Sequence, residues 1–195
     1  MQTDTAPASN QQASYQIDRN ASRFVVRAFV TGVFSALGHS PTIAIRDFTG
    51  EVRLEPEASL RLRVRADSLE IADDIPGKDR SEMERTMQRD VLQSSKYAEI
   101  LYETTGATLT SLGEGRWQAN LQGNVTLRGV TRGQNISMQV TRTGEMLRAN
   151  GDFTLLQSTY GIKPVSVAGG TLKLKDELKF TFDVVARKQE AEAKE

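Results

Sequence analysis

Residues 60–66 read Leu-Arg-Leu-Arg-Val-Arg-Ala, an unbroken alternation of apolar and charged side chains. Successive side chains of a β-strand point to opposite faces of the sheet, so this stretch predicts a strand with one buried face. The inward set is Leu60, Leu62, Val64 and Ala66, and the outward set is Arg61, Arg63 and Arg65. We interpret the arginine row as a solvated face paired with cross-strand carboxylates. Docking of this row on an acidic membrane surface is the less favoured alternative, because the whole chain is neutral.

The same period of two recurs along most of the chain. Further inward rows are Phe24, Val26 and Ala28; Phe48, Gly50, Val52 and Leu54; Ile100 and Tyr102; every second residue from Trp117 to Leu127; Ile136, Met138 and Val140; every second residue from Leu147 to Leu155; and Leu178, Phe180, Phe182 and Val184. Between Ile45 and Phe48 the parity slips by one residue, which indicates a β-bulge near Arg46 and Asp47. About eight strands joined by short turns predict an all-β protein, folded as a closed antiparallel eight-stranded barrel of the lipocalin-like kind.

One segment departs from this period. Over residues 79–92 the apolar side chains fall at helical spacing, which predicts one short amphipathic helix. Its apolar stripe is Met83, Met87, Val91 and Leu92. The spacing of Asp79 and Glu82 resembles a capping box at its start. We expect the stripe to pack on the barrel and to cover one of its ends.

A chain of 195 residues is within the range of a single domain. We predict one barrel domain over residues 15–187, between disordered polar tails at 1–14 and 188–195. The start of the sequence lacks the pattern of a secretory signal, which predicts a cytoplasmic protein, or a periplasmic one if Met1 replaces a removed signal. No apolar run is long enough to predict a transmembrane segment.

Composition narrows the chemistry. Lys plus Arg and Asp plus Glu number 25 each, so we expect no nucleic-acid partner. The absence of cysteine excludes disulfides, thiolate nucleophiles and cysteine zinc sites, and a single histidine excludes a multi-histidine metal site. No G-x-S-x-G elbow is present to carry a serine nucleophile. We therefore predict that the protein is not an enzyme, has no catalytic or metal-binding residues and needs no cofactor.

The only histidine, His39, lies with Ser40 in a turn-forming sequence. The favoured interpretation is a turn histidine that hydrogen-bonds to its neighbours. The alternative places His39 and Ser40 at the barrel rim, where they would contact the polar head group of a ligand.

Small residues interrupt the inward rows. They are Ala28, Ala66, Ala119, Gly123, Ala149 and Gly151. An eight-stranded barrel holds either packed side chains or one small ligand, so these positions leave volume for a ligand or match the taper of a filled interior. The residues alone leave both possibilities open.

Several short motifs, taken in order, resemble the YceI-like family of polyisoprenoid-binding, lipocalin-like barrels. The resemblance runs from about Tyr15 to Arg187. Its landmarks are Tyr15, Ile17 and Asp18; Gly38, His39 and Ser40; Phe48 and Gly50; Lys96, Tyr97, Glu99 and Ile100; Gly123, Leu127, Arg128, Gly129, Val130 and Thr131; and Ser158, Thr159, Tyr160, Gly161 and Ile162. The chain has Ala98 where the family commonly has proline, and Gln157 and Thr159 where it commonly has arginine and aspartate.

The resemblance implies a carrier that encloses an isoprenoid lipid, such as a quinone or polyprenyl chain, as its bound ligand. The expected ligand-binding residues are Phe24, Val26, Phe48, Leu62, Val64, Met87, Val91, Tyr102, Trp117, Leu121, Met138, Phe153, Phe180 and Phe182. The alternative function is a structural or stress-related interaction barrel with a packed interior and a protein partner. A homodimer is compatible with either function.

Overall fold

The computed structural model describes residues 13–31, 40–54, 57–167 and 172–189. The predicted tails therefore lie almost wholly outside the described residues, as does His39. The strands are β1 (Ser14–Ile17), β2 (Arg23–Thr31), β3 (Thr42–Ile45), β4 (Phe48–Arg53), β5 (Ser59–Arg65), β6 (Leu69–Ile71), β7 (Glu99–Gly113), β8 (Arg116–Leu127), β9 (Val130–Gly133), β10 (Ile136–Thr143), β11 (Met146–Leu156), β12 (Ser166–Val167) and β13 (Leu172–Lys188).

These strands form one antiparallel sheet that closes on itself. Strand β1 pairs with both β4 and β13, which joins the two sides of the sheet. Strands β1 and β2 both pair with β13 and are consecutive pieces of one wall position. Strands β4 and β3 pair with β1 and β2, respectively, and β5 and β6 pair with β4 and β3, so β3 with β4 and β5 with β6 make two further positions. Together with β7, β8, β10, β11 and β13 they make eight positions. The predicted closed eight-stranded barrel is confirmed.

The parity slip lies where the sequence predicts it. Strand β3 ends at Ile45 and β4 begins at Phe48, and both side chains are buried. The Asp47 carbonyl accepts a hydrogen bond of 3.0 Å from the Arg65 amide across the break. The irregularity thus keeps apolar side chains inward on both sides of it.

The arginines of β5 face outward and meet carboxylates. Nitrogen-to-oxygen distances are 3.7 Å for Arg61 with Glu103, 3.2 Å for Arg63 with Glu99, and 2.8 Å for Arg65 with Asp67. Both glutamates lie on β7: Glu103 is directly opposite Arg61 in the register, whereas Glu99 is opposite Arg65 and meets Arg63 diagonally. The row is therefore a neutralised outer face, as expected from cross-strand pairing.

The predicted helix is present, in two pieces. Helix α1 spans Gly77–Thr86 and continues as a π-helical turn over Met87–Leu92. The predicted capping box is wrong: Pro76 precedes the helix, and no side chain caps its start. Because the helix begins two residues earlier than expected, Asp79 lies inside the first turn. Its carboxylate still interacts favourably with the positive end of the helix dipole there.

The barrel has two different ends. The helix end carries residues 77–92 and the β8–β9 turn at 128–129. The hairpin end carries the end of β4, the start of β5, and the β7–β8 and β10–β11 turns at 114–115 and 144–145. No described helix is long and apolar enough to cross a membrane.

Candidate functional site

A cavity of about 490 Å³ occupies the inside of the barrel. All eight wall positions and helix α1 with its π-helical turn contribute side chains to it, and nearly all of these are apolar. The volume is within the range of small-molecule binding sites. The small inward residues left open either a space for a ligand or an interior filled by side chains. The described part of the barrel has the open space.

Most of the predicted ligand-binding residues border this cavity. Those that do are Phe24, Val26, Leu62, Val64, Met87, Val91, Tyr102, Leu121, Met138, Phe153, Phe180 and Phe182. They come from β2, β5, the π-helical turn, β7, β8, β10, β11 and β13. The period of two brings them together because it fixes which face of each strand turns toward the barrel axis.

Two of the predicted residues, Phe48 and Trp117, do not border the cavity. Phe48 is 3% exposed, but it packs behind Phe24, with the ring centroids 6.3 Å apart in an edge-to-face arrangement. Trp117 is half-buried toward the hairpin end, where the Arg142 guanidinium lies 5.7 Å from its ring centroid. Neither residue is among the described side chains that border the cavity.

Of the two candidate head-group residues, only Ser40 can be placed. Its Oγ accepts a hydrogen bond of 3.2 Å from the Val30 amide, so it connects the chain after the β2–β3 loop to the end of β2. Ser40 does not border the cavity as described. A head-group role for His39 and Ser40 stays a prediction.

Five of the six small inward residues divide into two groups, and the sixth, Ala66, is 1% exposed and does not border the cavity. Ala28, Ala119 and Ala149 border the cavity and contribute to its width. At Gly123 and Gly151 aromatic rings take the space instead: an added Cβ would lie 2.5 Å from Tyr102 Cζ and 2.9 Å from Phe182 Cζ, respectively. Glycine at these positions therefore lets a ring approach the wall closely.

Aromatic rings line the middle of the barrel. Phe153 and Phe180 stack with their centroids 4.7 Å apart and their planes nearly parallel. Phe24 meets Phe180 and Phe182 edge to face at 6.2 and 6.0 Å. Such pairs hold their rings in fixed orientations, so this side of the cavity has a defined shape.

Polar residues that the sequence reasoning missed lie at the borders of the cavity. Asp79 and Glu82 of helix α1 border it at the helix end, and Arg53 does so at the hairpin end. Gln157 also borders it, is only 2% exposed and donates from Nε2 to the Lys175 carbonyl at 2.9 Å. The resemblance singled out position 157, but nothing in the alternating pattern marked the other three.

The chemistry of this site is burial of apolar surface. The described residues contain no group of three or more histidine, aspartate or glutamate side chains that could hold a metal ion. Contact with the wall removes apolar surface from water at roughly 25 cal/mol per Å². The arrangement therefore favours an apolar ligand.

Comparison with known proteins agrees with this architecture. The chain superposes on BcnA of Burkholderia cenocepacia with a TM-score of 0.65 at 14% identity, covering 87% of this chain and 98% of that one. A polyisoprenoid binding domain from Saccharophagus degradans gives a TM-score of 0.65 at 12% identity, with coverages of 92% and 100%. The YCEI protein of Campylobacter jejuni gives 0.57 at 13% identity, with 76% and 85%.

These likenesses show a shared fold, and a search of curated protein sequences found no significant match. The family profile of the YceI-like domain, in contrast, matches residues 15–186, which is nearly the whole described barrel. The hollow closed barrel and this match together establish that the chain belongs to the YceI-like domain family.

Proposed function

We propose that this protein binds an isoprenoid-type lipid inside its barrel and carries or sequesters it, acting by enclosure and not by catalysis. The observation that supports this proposal best is the apolar cavity of about 490 Å³ bordered by all eight wall positions. A structural relative, the domain from Saccharophagus degradans, is described as polyisoprenoid binding, which points to the same class of ligand.

Burial alone accounts for useful affinity. An isoprenoid tail that loses about 400 Å² of apolar surface gains roughly 10 kcal/mol, of which ordering and loss of motion of the ligand remove several. Micromolar binding corresponds to about 8 kcal/mol, so burial alone supplies the larger part of that free energy. A tail of this kind therefore needs few polar contacts in order to stay in the barrel.

The direct test is native mass spectrometry and solvent extraction of freshly purified protein. We expect a co-purifying lipid, and reconstitution with an isoprenoid quinone should give one molecule per chain. Protein that neither carries a lipid nor takes up the quinone would contradict the proposal and favour the alternative of an interaction barrel with a protein partner.

A pair of neighbouring variants locates the ligand. Leu121→Arg places a charge in the cavity, whereas Gln122→Arg places the same charge on the outer face of the same strand. We expect the first variant to lose bound lipid and the second to keep it, because an unpaired charge in an apolar site is costly. Equal lipid content in the two folded variants would contradict binding at this wall.

A neutral variant covers the case in which Leu121→Arg does not fold. Ala149 is half-buried and borders the cavity, so Ala149→Phe fills part of the volume without adding charge. We expect a folded barrel, checked by circular dichroism, that binds less lipid than the wild type. Undiminished lipid content would place the ligand elsewhere.

A further inference from the structure

The far half of β7 has a free backbone edge. Strand β5 pairs with β7 only as far as Arg61 opposite Glu103, whereas β8 pairs with β7 as far as Gly113. The Thr104 hydroxyl accepts from the Leu60 amide at 3.0 Å and donates to the Leu60 carbonyl at 3.1 Å. It takes the place of a backbone partner for Leu60, so the β5–β7 ladder ends there. Among the described residues, no strand pairs with this edge of β7 beyond that point.

The alternation of strand pairing shows which backbone groups this edge offers. The Gly123 carbonyl of β8 accepts from the Gln134 amide, which lies on the side of β8 away from β7. Every second residue of an antiparallel strand points its N–H and C=O to the same side, so those of Ala119 also point away from β7. Its partner on β7 is Leu109, and the backbone groups of such a pair point outward on both strands. The residues whose N–H and C=O groups point to the free edge are therefore Ala107, Leu109 and Ser111.

This edge lacks the side chains with which proteins protect exposed strands. Charged residues and proline are the usual guards against pairing with another chain. Residues 104–113 read Thr-Thr-Gly-Ala-Thr-Leu-Thr-Ser-Leu-Gly and contain neither. Register irregularities bound the stretch after Thr104 and after Ser111, but the pairing with β8 between them is regular. Leu109 and Leu112 are 38% and 49% exposed on it, so the edge is suited to accept a further strand.

We propose that two copies of this chain associate through this edge, with β7 of one copy antiparallel to β7 of the other and the two-fold axis at Leu109. In this register Leu109 faces Leu109 of the second copy, and Ala107 faces Ser111 of the second copy. All the backbone groups that point to the free edge are then paired. Thr108 lies opposite Thr110 of the second copy on the outer face, and threonine pairs of this kind stabilise antiparallel strands.

Charge and side-chain pattern both favour a second copy as the occupant. Lys plus Arg and Asp plus Glu number 25 each, so two copies carry no net repulsion. A strand beside β7 has to turn apolar side chains toward the cavity and polar ones toward solvent. Strand β7 has this pattern itself, because Leu109 borders the cavity whereas Thr108 and Thr110 are exposed. The second copy thus adds its own Leu109 to the border of the cavity, where β5 leaves a gap. The effect of this on ligand exchange rests on the proposed function, but the association itself does not.

A single introduced cysteine tests the register, because the chain contains no cysteine of its own. Directly opposed residues with paired backbones have Cα atoms about 5.5 Å apart, which is within the range for a disulfide. We expect full-length Leu109→Cys protein to form disulfide-linked dimers on mild oxidation. Leu156→Cys is the matched control and should stay mostly unlinked, because Leu156 is an equally exposed leucine, at 46%, at the other end of the barrel.

Charge reversal tests the same pairing without a covalent bond. One double variant carries Thr108→Lys with Thr110→Lys, and the other carries Thr108→Glu with Thr110→Glu. Both positions are exposed, so each variant should fold, which circular dichroism checks. Like charges then lie opposite each other, and we expect the dissociation constant of each dimer to rise at least about tenfold over the wild type. An equal mixture of the two variants should associate again, because each lysine then meets a glutamate. Analytical ultracentrifugation from micromolar to submillimolar protein measures both effects.

Three outcomes would overturn this inference. A wild type that stays monomeric up to submillimolar concentration would exclude the dimer. Dimers that persist in each charged variant alone would place the interface elsewhere. Equally fast linking of Leu156→Cys and Leu109→Cys would show random collision. Lipid content is measured separately on the same samples, so a monomeric wild type that binds lipid contradicts only this inference, and a dimer that binds none contradicts only the proposed function.

Discussion

The two ends of the barrel border the same cavity but differ in closure. At the helix end, Met87 and Leu92 are 8% and 7% exposed and pack into the core. At the hairpin end, Leu109 borders the cavity and is 38% exposed, and the partly exposed Arg53 lies beside the same opening. Apolar wall residues are thus covered at one end and reach solvent at the other.

The cause is a difference in strand length. The pairing of β5 with β7 ends at Arg61 opposite Glu103, whereas the pairing of β7 with β8 continues to Gly113 opposite Arg116. Beyond β5, the far half of β7 is therefore paired only on its β8 side among the described residues. Unequal strands leave an opening without breaking the barrel, and we expect the ligand to enter there.

The largest expected difference between the ends is in stability. Met87→Ala should lower the free energy of unfolding by about 2 kcal/mol, at the lower end for such substitutions because the side chain already borders a cavity. Leu109→Ala should change it by no more than about 0.5 kcal/mol, because the side chain is substantially exposed. Urea unfolding of the two variants measures both values. Similar losses would show that the hairpin end is as well packed as the helix end.

A smaller effect should follow from releasing helix α1. The Glu84 carboxylate accepts a hydrogen bond of 3.0 Å from the Ile71 amide at the end of β6. Glu84→Ala removes this acceptor and should cost about 1 kcal/mol. Hydrogen exchange should accelerate at Ile71 and in the helix, while the exposed control Arg85→Ala leaves it unchanged. No acceleration would mean that the helix is held by packing alone.

A still smaller effect is expected on the rate of ligand uptake when a bulky side chain is placed at one end of the barrel. Leu109→Trp narrows the opening at the hairpin end, whereas Met83→Trp adds the same bulk beside the cavity at the helix end. We expect Leu109→Trp to slow uptake of an isoprenoid from vesicles about threefold, or roughly 0.7 kcal/mol in activation free energy. Stopped-flow fluorescence provides the rate. Slowing by Met83→Trp alone would move the entrance to the helix end.

The smallest effect concerns pH. Hydrogen bonds from Arg53 and Ser14 lower the pKa of Glu51 at the hairpin end. A carboxylate whose pKa is lowered by folding stabilises the folded state above its unfolded pKa, and this contribution disappears as pH falls below about 4. The pair is partly exposed, so the loss should be about 0.5 kcal/mol or less. Glu51→Gln should remove this part of the acid sensitivity, and an unchanged pH profile would contradict the assignment.

Sequence reasoning predicted the wall better than the borders of the cavity. In strands with alternating residues, such as β5 and β8, the period of two fixes which side chains face the interior. This alternation is kept in the closed barrel. The spacing of Asp79 and Glu82 in the sequence predicts a capping box. Two helix residues three positions apart can equally lie together at the border of a cavity. Which of these applies depends on where the helix begins, and Pro76 decides that locally.

The sequence by itself determined which side chains of each strand point inward and which point outward, the bulge between Ile45 and Phe48, and the helix. These features follow from the geometry of neighbouring residues. Only the tertiary structure decided which inward residues reach open space. Phe48 lies behind Phe24, and Gly123 is covered by Tyr102, because rings from other strands meet there. Such contacts depend on distances across the barrel, which alternation along a single strand does not encode.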